Sequence, residues 1–141
     1  MSYVLADERN QVQKKPVFSP TPIFFLSIFF LPLAVPFWII NWGRLGNHKM
    51  RLLAGGFGIF GIVLPFLLAK LVLSQGWKSE NLSFIMQFYR GLFALGMYLP
   101  MKDAIYHYVE RGGKKAPIWP VAVAALLALA FNLMRASNQL N

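Results

Sequence analysis

Four apolar runs, separated by short polar and basic stretches, set the pattern of this chain: residues 22–42, 52–74, 82–99 and 117–134. At 1.5 Å per residue, runs of this length match a hydrocarbon core of roughly 30 Å. The second carries no charge from Leu52 until Lys70, and its first half is ridged with Ala54, Gly55, Gly56, Gly58 and Gly61. In water each glycine would weaken the helix by about 0.8–1 kcal/mol against alanine. In lipid the backbone ladder is enforced, because no water can satisfy a broken one. Small residues four apart let helices approach closely, and Ala54/Gly58 fits that spacing, as does Ala124/Ala128 in the fourth run. The pattern therefore predicts helix packing through Ala54, Gly58, Gly61, Ala124 and Ala128, with the second run as the hub.

Between the runs, the polar residues predict how each element begins and ends. Residues 1–21 read as a polar tail closed by Pro16, Pro20 and Pro22, with Pro22 suited to a first helical turn. The first run is rich in phenylalanine and holds Pro32 and Pro36, which predict a kink facing protein, while Trp38 and Trp42 suit an interfacial belt. Gly43 and Gly46 end it, and Arg44, Lys49 and Arg51 suit lipid phosphates. The connection from Gln75 to Asn81 is polar, with Trp77 at interface depth and Ser79 or Asn81 as a cap. The third run is the least apolar, and Pro100 predicts its end. Residues 101–111 then read as an amphipathic helix in the headgroup plane, with Met101, Ile105, Tyr108 and Val109 on one side. Gly112 and Gly113 stop it, and Pro117 and Pro120 open the fourth run. The fold expected is all-α: a polytopic integral membrane protein with four transmembrane helices over 22–135, an interfacial helix, and a tail at 136–141. An even number of spans places both termini on one side.

Composition narrows the class further. Of 141 residues, 57% are hydrophobic and 13% charged, a balance suited to integral membrane proteins. Absence of cysteine excludes disulfides and thiol chemistry. A net charge of +9 raises nucleic acid as a partner, but the basic residues cluster in short loops, so the bilayer and its anionic lipid headgroups account for them. The first run lacks an A-x-A exit and reads as a retained anchor. With four spans, Lys and Arg divide six to seven between the two sides, which barely favours cytoplasmic 44–51 and 102–115 loops.

Arg90 is the residue this pattern does not absorb. It lies mid-run, where arginine costs about 2.5–3.5 kcal/mol on insertion scales. No Asp or Glu accompanies it within the apolar runs. Its candidate partners are Gln87, Asn132, carbonyls freed by Pro32 and Pro36, or a bound anion or lipid headgroup. These make either a polar lock between helices or an anion site. His107 with Asp103 and Glu110 superficially resembles a metal or acid–base cluster, but two weak ligands on an interfacial helix close no site. His48 and His107 lie outside the runs, away from any haem position in a bundle core. Without a nucleophile–base set, a phosphate loop or HExxH, no catalysis, cofactor or metal is expected.

Ser19-Pro20 before the first run, Pro32 within it, Asn41 with Arg44-Leu45-Gly46 after it, and Gly112-Gly113-Lys114-Lys115 with Trp119 carry a resemblance. By these residues the chain is similar to small four-span proteins of the bacterial inner membrane. The resemblance implies a multi-pass inner-membrane topology and no particular activity. The function expected is an accessory, structural or assembly subunit of a larger membrane complex, or a self-associating bundle. The alternative is a small oligomeric transporter or lipid/anion-handling protein using Arg90.

Overall fold

The computed structural model describes residues 15–76 and 79–138. The tail before Lys15, Trp77, the capping side chains of Ser79 and Asn81, and the last three residues lie outside the described residues. The chain is all-α: α1 (Pro20–Arg44), α2 (His48–Ser74), α3 (Ser79–Glu110) and α4 (Trp119–Asn138). By length and composition, α1, α2 and α4 are apolar enough to cross a membrane.

α1 is not one straight helix. Phe30 sits at φ −152° and ψ 84°, outside the helical region, and divides α1 into limbs at 20–29 and 31–44. The cause lies two residues on. Pro32 has no N–H, and its ring clashes with the carbonyl one turn back, so a continuous helix fails just upstream. After the break, Pro32 belongs to the first turn of the second limb, where a missing N–H costs nothing. The limbs fold back on each other. Trp38 Nε1 donates to Ser27 Oγ at 3.0 Å, and Ser27 Oγ donates to the Ile23 carbonyl at 2.8 Å. Phe18 N donates to Asn41 Oδ1 at 2.8 Å, while Asn41 Nδ2 donates to the Phe18 carbonyl at 2.9 Å. In a straight helix residues 18 and 41 would stand about 35 Å apart. The expected kinked span over 22–42 is thus corrected to a helical hairpin with its tip at Phe30. Trp38 and Trp42, read as interfacial, are 0% and 6% exposed inside it.

This hairpin, not α2, is the hub. α1 packs against α2, α3 and α4, and α4 packs against α1 alone. The glycine ridge of α2 forms one narrow groove, because its buried residues are Ala54, Gly58 and Gly61 only. Val35 of the second limb fills the groove at Gly58, and the Phe93 ring of α3 covers Gly61. A groove receives side chains from one direction, whereas the two limbs of α1 present faces all round.

Nor does Pro100 end a helix. α3 runs unbroken for 32 residues, from Ser79 to Glu110. Met101 and Ile105, 0% and 3% exposed, continue the buried row of Phe93, Ala94 and Met97. The face read as resting on the membrane is therefore the upper part of a packing stripe, and that packing holds the helix in line across the proline. Gly112 turns the chain at φ +81°, a conformation glycine adopts without strain. A short parallel bridge follows: Val17 N donates to the Lys114 carbonyl at 3.0 Å, and Ala116 N donates to the Val17 carbonyl at 2.6 Å. It starts α4 alongside the first limb and parallel to it.

Lys15, Arg44 and the 111–118 connection consequently lie at one end of the bundle, here the near end. The far ends of α2 and α4 and the start of α3 lie opposite. On all three helices burial stops where the hairpin stops. Beyond Gly61, Phe93 and Ala128, toward the far end, no described residue is buried. The Phe30 ring marks this level on α4, 5.4 Å from the Phe131 ring.

Candidate functional site

Two places set polar side chains against the packed apolar body of the bundle. The first is a clasp at the near end. Residues 15–18 are extended, as Pro16 and Pro20 require, and the fully buried Asn41 amide grips the Phe18 peptide by both its N–H and its carbonyl. The Arg44 guanidinium donates to the Pro16 carbonyl at 2.5 Å and lies 4.8 Å from the Phe18 ring centre. Tyr108 Oη donates to the Lys15 carbonyl at 2.8 Å, tying α3 to the same strap. Every hydrogen-bond partner of these three side chains is a backbone group, so the clasp fastens the chain. Sequence reasoning passed over Ser27, Asn41 and Tyr108 as functional groups. The available signal was two short polar side chains, Ser27 and Asn41, on either side of Pro32 within one apolar run.

The second place is Arg90. It is half-buried and makes no hydrogen bond among the described residues. Helical geometry puts it on the face of Ala94, Met97 and Met101, four, seven and eleven residues on, all buried toward α1. Arg90 is therefore the next residue of the packing stripe, just past the level of the hairpin tip. The structure does not bring its candidate partners to it. Gln87 and Asn132 are both exposed, α3 does not pack on α4, and the carbonyls near Pro32 and Pro36 receive no bond from it. Beside it, Tyr89 Oη is enclosed without a hydrogen-bond partner among the described residues.

Asn132 instead lines a groove of about 370 Å³ between the first limb and α4, together with Pro22, Phe25, Phe29, Val121 and Leu129. Ala54, Gly58, Gly61, Ala124 and Ala128 all lie buried in helix contacts. His107 pairs with Glu110, Nδ1 to Oε2 at 3.2 Å, rather than with Asp103, and both side chains are more than half exposed. No group of three metal-ligating side chains occurs among the described residues. No protein-family model, curated protein or solved structure matches this chain.

Proposed function

We propose that this chain is a non-catalytic integral membrane protein, an accessory or assembly subunit whose near half is a self-sufficient wedge and whose far half docks against membrane partners. The observation that carries this reading is the common level at which burial ends on α2, α3 and α4. Above it, five helical segments share one core. Below it, three helices run on with apolar surfaces such as Phe66, Leu67, Phe88, Leu129 and Leu133 all exposed. Lipid alone supplies no drive for such helices to stay apart or together, so packing partners decide their arrangement.

The proposed topology follows from the hairpin. Limbs of 10 and 14 residues reach only about 15 and 21 Å, so α1 re-enters and leaves on the side it came from. The spans are then α2, α3 and α4, three rather than four, and the termini fall on opposite sides rather than on one. Of the described Lys and Arg residues, eight (15, 44, 49, 51, 102, 111, 114 and 115) now belong to the near side, against 70 and 135 on the far side. The positive-inside rule makes the near side cytoplasmic, in a bacterial inner membrane or its equivalent. Because the chain has no cysteine, single cysteines report cleanly. Introduced at Lys15, Lys49 and Lys115, they are expected to resist an impermeant thiol reagent in intact cells, and one at Ser137 to react. Labelling of Lys15→Cys and Ser137→Cys together would restore the four-span topology.

Docking is tested by a photoreactive amino acid at Phe66 or Leu133, in the far half, and at Phe25 in the near half. The far positions are expected to give a discrete adduct with another membrane protein. Adducts with lipid alone at every position would overturn the subunit reading. Arg90 favours the second reading, a lipid- or anion-handling membrane protein, because a guanidinium without a protein acceptor sits inside the membrane-embedded part.

A further inference from the structure

We infer that the space beneath the hairpin tip holds a phospholipid of the far leaflet, whose phosphate is drawn inward to Arg90. This rests on the second reading above, and it names the anion, its leaflet and the reason it enters. α1 turns back at Phe30, while α2, α3 and α4 continue for another ten residues or more toward the far end. The volume the hairpin fills in the near leaflet is therefore left to something else in the far one. Arg90 stands on the stripe of α3 that faced the hairpin one turn earlier. Helical side chains lean toward their helix's N-terminus, and the N-terminus of α3 is at the far end. The guanidinium therefore points away from the tip and toward the far headgroups, in the manner of a snorkelling cation.

Charge selects the occupant. The chain has five carboxylates, at Asp7, Glu8, Glu80, Asp103 and Glu110. Glu80 is the nearest along α3, ten residues away, or about 15 Å. A second copy of the chain brings the same five, none of them within an apolar run, so self-association supplies no counter-charge at this depth. Phosphate is the anion present on that surface by default, and the planar fork of arginine matches it with two parallel hydrogen bonds. The acyl chains of the same molecule meet Met86, one turn from Arg90 on the same face of α3, and the exposed Phe131 of α4, whose ring lies 5.4 Å from the Phe30 ring at the tip. One phospholipid thus satisfies both the charge and the apolar walls.

The test uses the purified full-length chain alone, so it does not depend on any partner subunit. Delipidated protein is returned to nanodiscs of phosphatidylglycerol, or of a phosphate-free diacyl glycolipid with the same acyl chains. Lipid retained after gentle release into detergent is then counted by native mass spectrometry. Wild type is expected to keep a phosphatidylglycerol adduct and no glycolipid adduct. Arg90→Lys keeps the charge but loses the fork, and is expected to retain at least fivefold less; Arg90→Gln is expected to lose the adduct. Lys70→Gln, which removes a cation from the same half on α2, is expected to retain it. Melting temperatures recorded in parallel separate lost lipid from lost fold. Equal retention by wild type, Arg90→Lys and Arg90→Gln would overturn the proposal, as would equal retention of the glycolipid. Displacement of the lipid by millimolar inorganic phosphate, with phosphate then bound, would assign Arg90 to a free anion instead and likewise overturn it. Absence of the adduct in wild type would also overturn the proposal, while docking by the far half keeps its own cross-linking test.

Discussion

The fully buried Asn41 amide serves two backbone groups of a residue twenty-three positions away. Asn41 satisfies one N–H and one C=O of Phe18, and each would be left unpaired by an apolar replacement at a cost of about 1–3 kcal/mol. Asn41→Leu is expected to lower the melting temperature in detergent markedly. Asn41→Asp keeps the acceptor and loses the donor, and should fall between. A melt of Asn41→Leu matching wild type would mean the clasp is ornamental. Tyr89 presents the opposite case, because its enclosed hydroxyl bonds nothing among the described residues. Tyr89→Phe removes that desolvated group and keeps the ring against Phe93, so it is expected to be neutral or stabilising by up to about 1–3 kcal/mol. A clear loss of stability would reveal a partner for that hydroxyl.

Among the elements, the hairpin makes the sharpest demand on measurement. Spin labels at Thr21 and Ile40 would sit about 28 Å apart on a straight helix, but neighbouring limbs lie roughly 8–10 Å apart at their axes. Pulsed dipolar spectroscopy is expected to give the short distance, and a distribution centred near 28 Å would unfold the hairpin into a span. On α2 the glycines differ by what faces them. A Cβ at Gly58 would stand 2.5 Å from Val35 Cγ1, whereas one at Gly56 would meet nothing within 4 Å. Gly58→Ala is therefore expected to destabilise by roughly 1–3 kcal/mol through overpacking. Gly56→Ala should be harmless or gain about 0.8–1 kcal/mol of helix propensity. Equal melting temperatures for the two variants would show that α2 does not pack on the second limb through its glycine groove.

For the whole molecule, the consequence is asymmetry from end to end. The near half holds five packed helical segments and the far half three that share no buried core among the described residues, which on the proposed topology would place one half in each leaflet. That shape divides the molecule into a part with its own stability and a part whose arrangement depends on its surroundings. Detergent should loosen the far half first, so hydrogen exchange is expected to be faster at 129–138 than at 119–128 of the same α4 helix. Uniform protection along α4 would mean that the far half is held by contacts between copies of the chain. Fastening of the near half by residues 15–18 also explains why α4, which packs on α1 alone, begins where it does: the Val17–Lys115 bridge sets its register.

Composition, apolar run length and the lack of cysteine were enough to place the chain among helical membrane proteins, because the bilayer dictates those features residue by residue. Local spacing was equally direct in marking the small residues of α2 and α4, which pack wherever their helices meet. Arg90 stood out on the same basis, since its cost depends on depth alone. What one-dimensional pattern could not decide was direction. Pro32 predicts a break of any angle from a mild kink to a full reversal, and the angle is set by Asn41 reaching Phe18 and Trp38 reaching Ser27 across the fold. Pro100 carries the same local signal, yet Met101 and Ile105 are buried in the core shared with the hairpin and keep that helix straight enough to continue. Two prolines of equal chemistry thus gave a reversal and a through-helix, since the free energy of each came from residues distant in sequence. From that difference followed the end of the bundle at which Lys15 lies and the level at which burial stops on the other three helices.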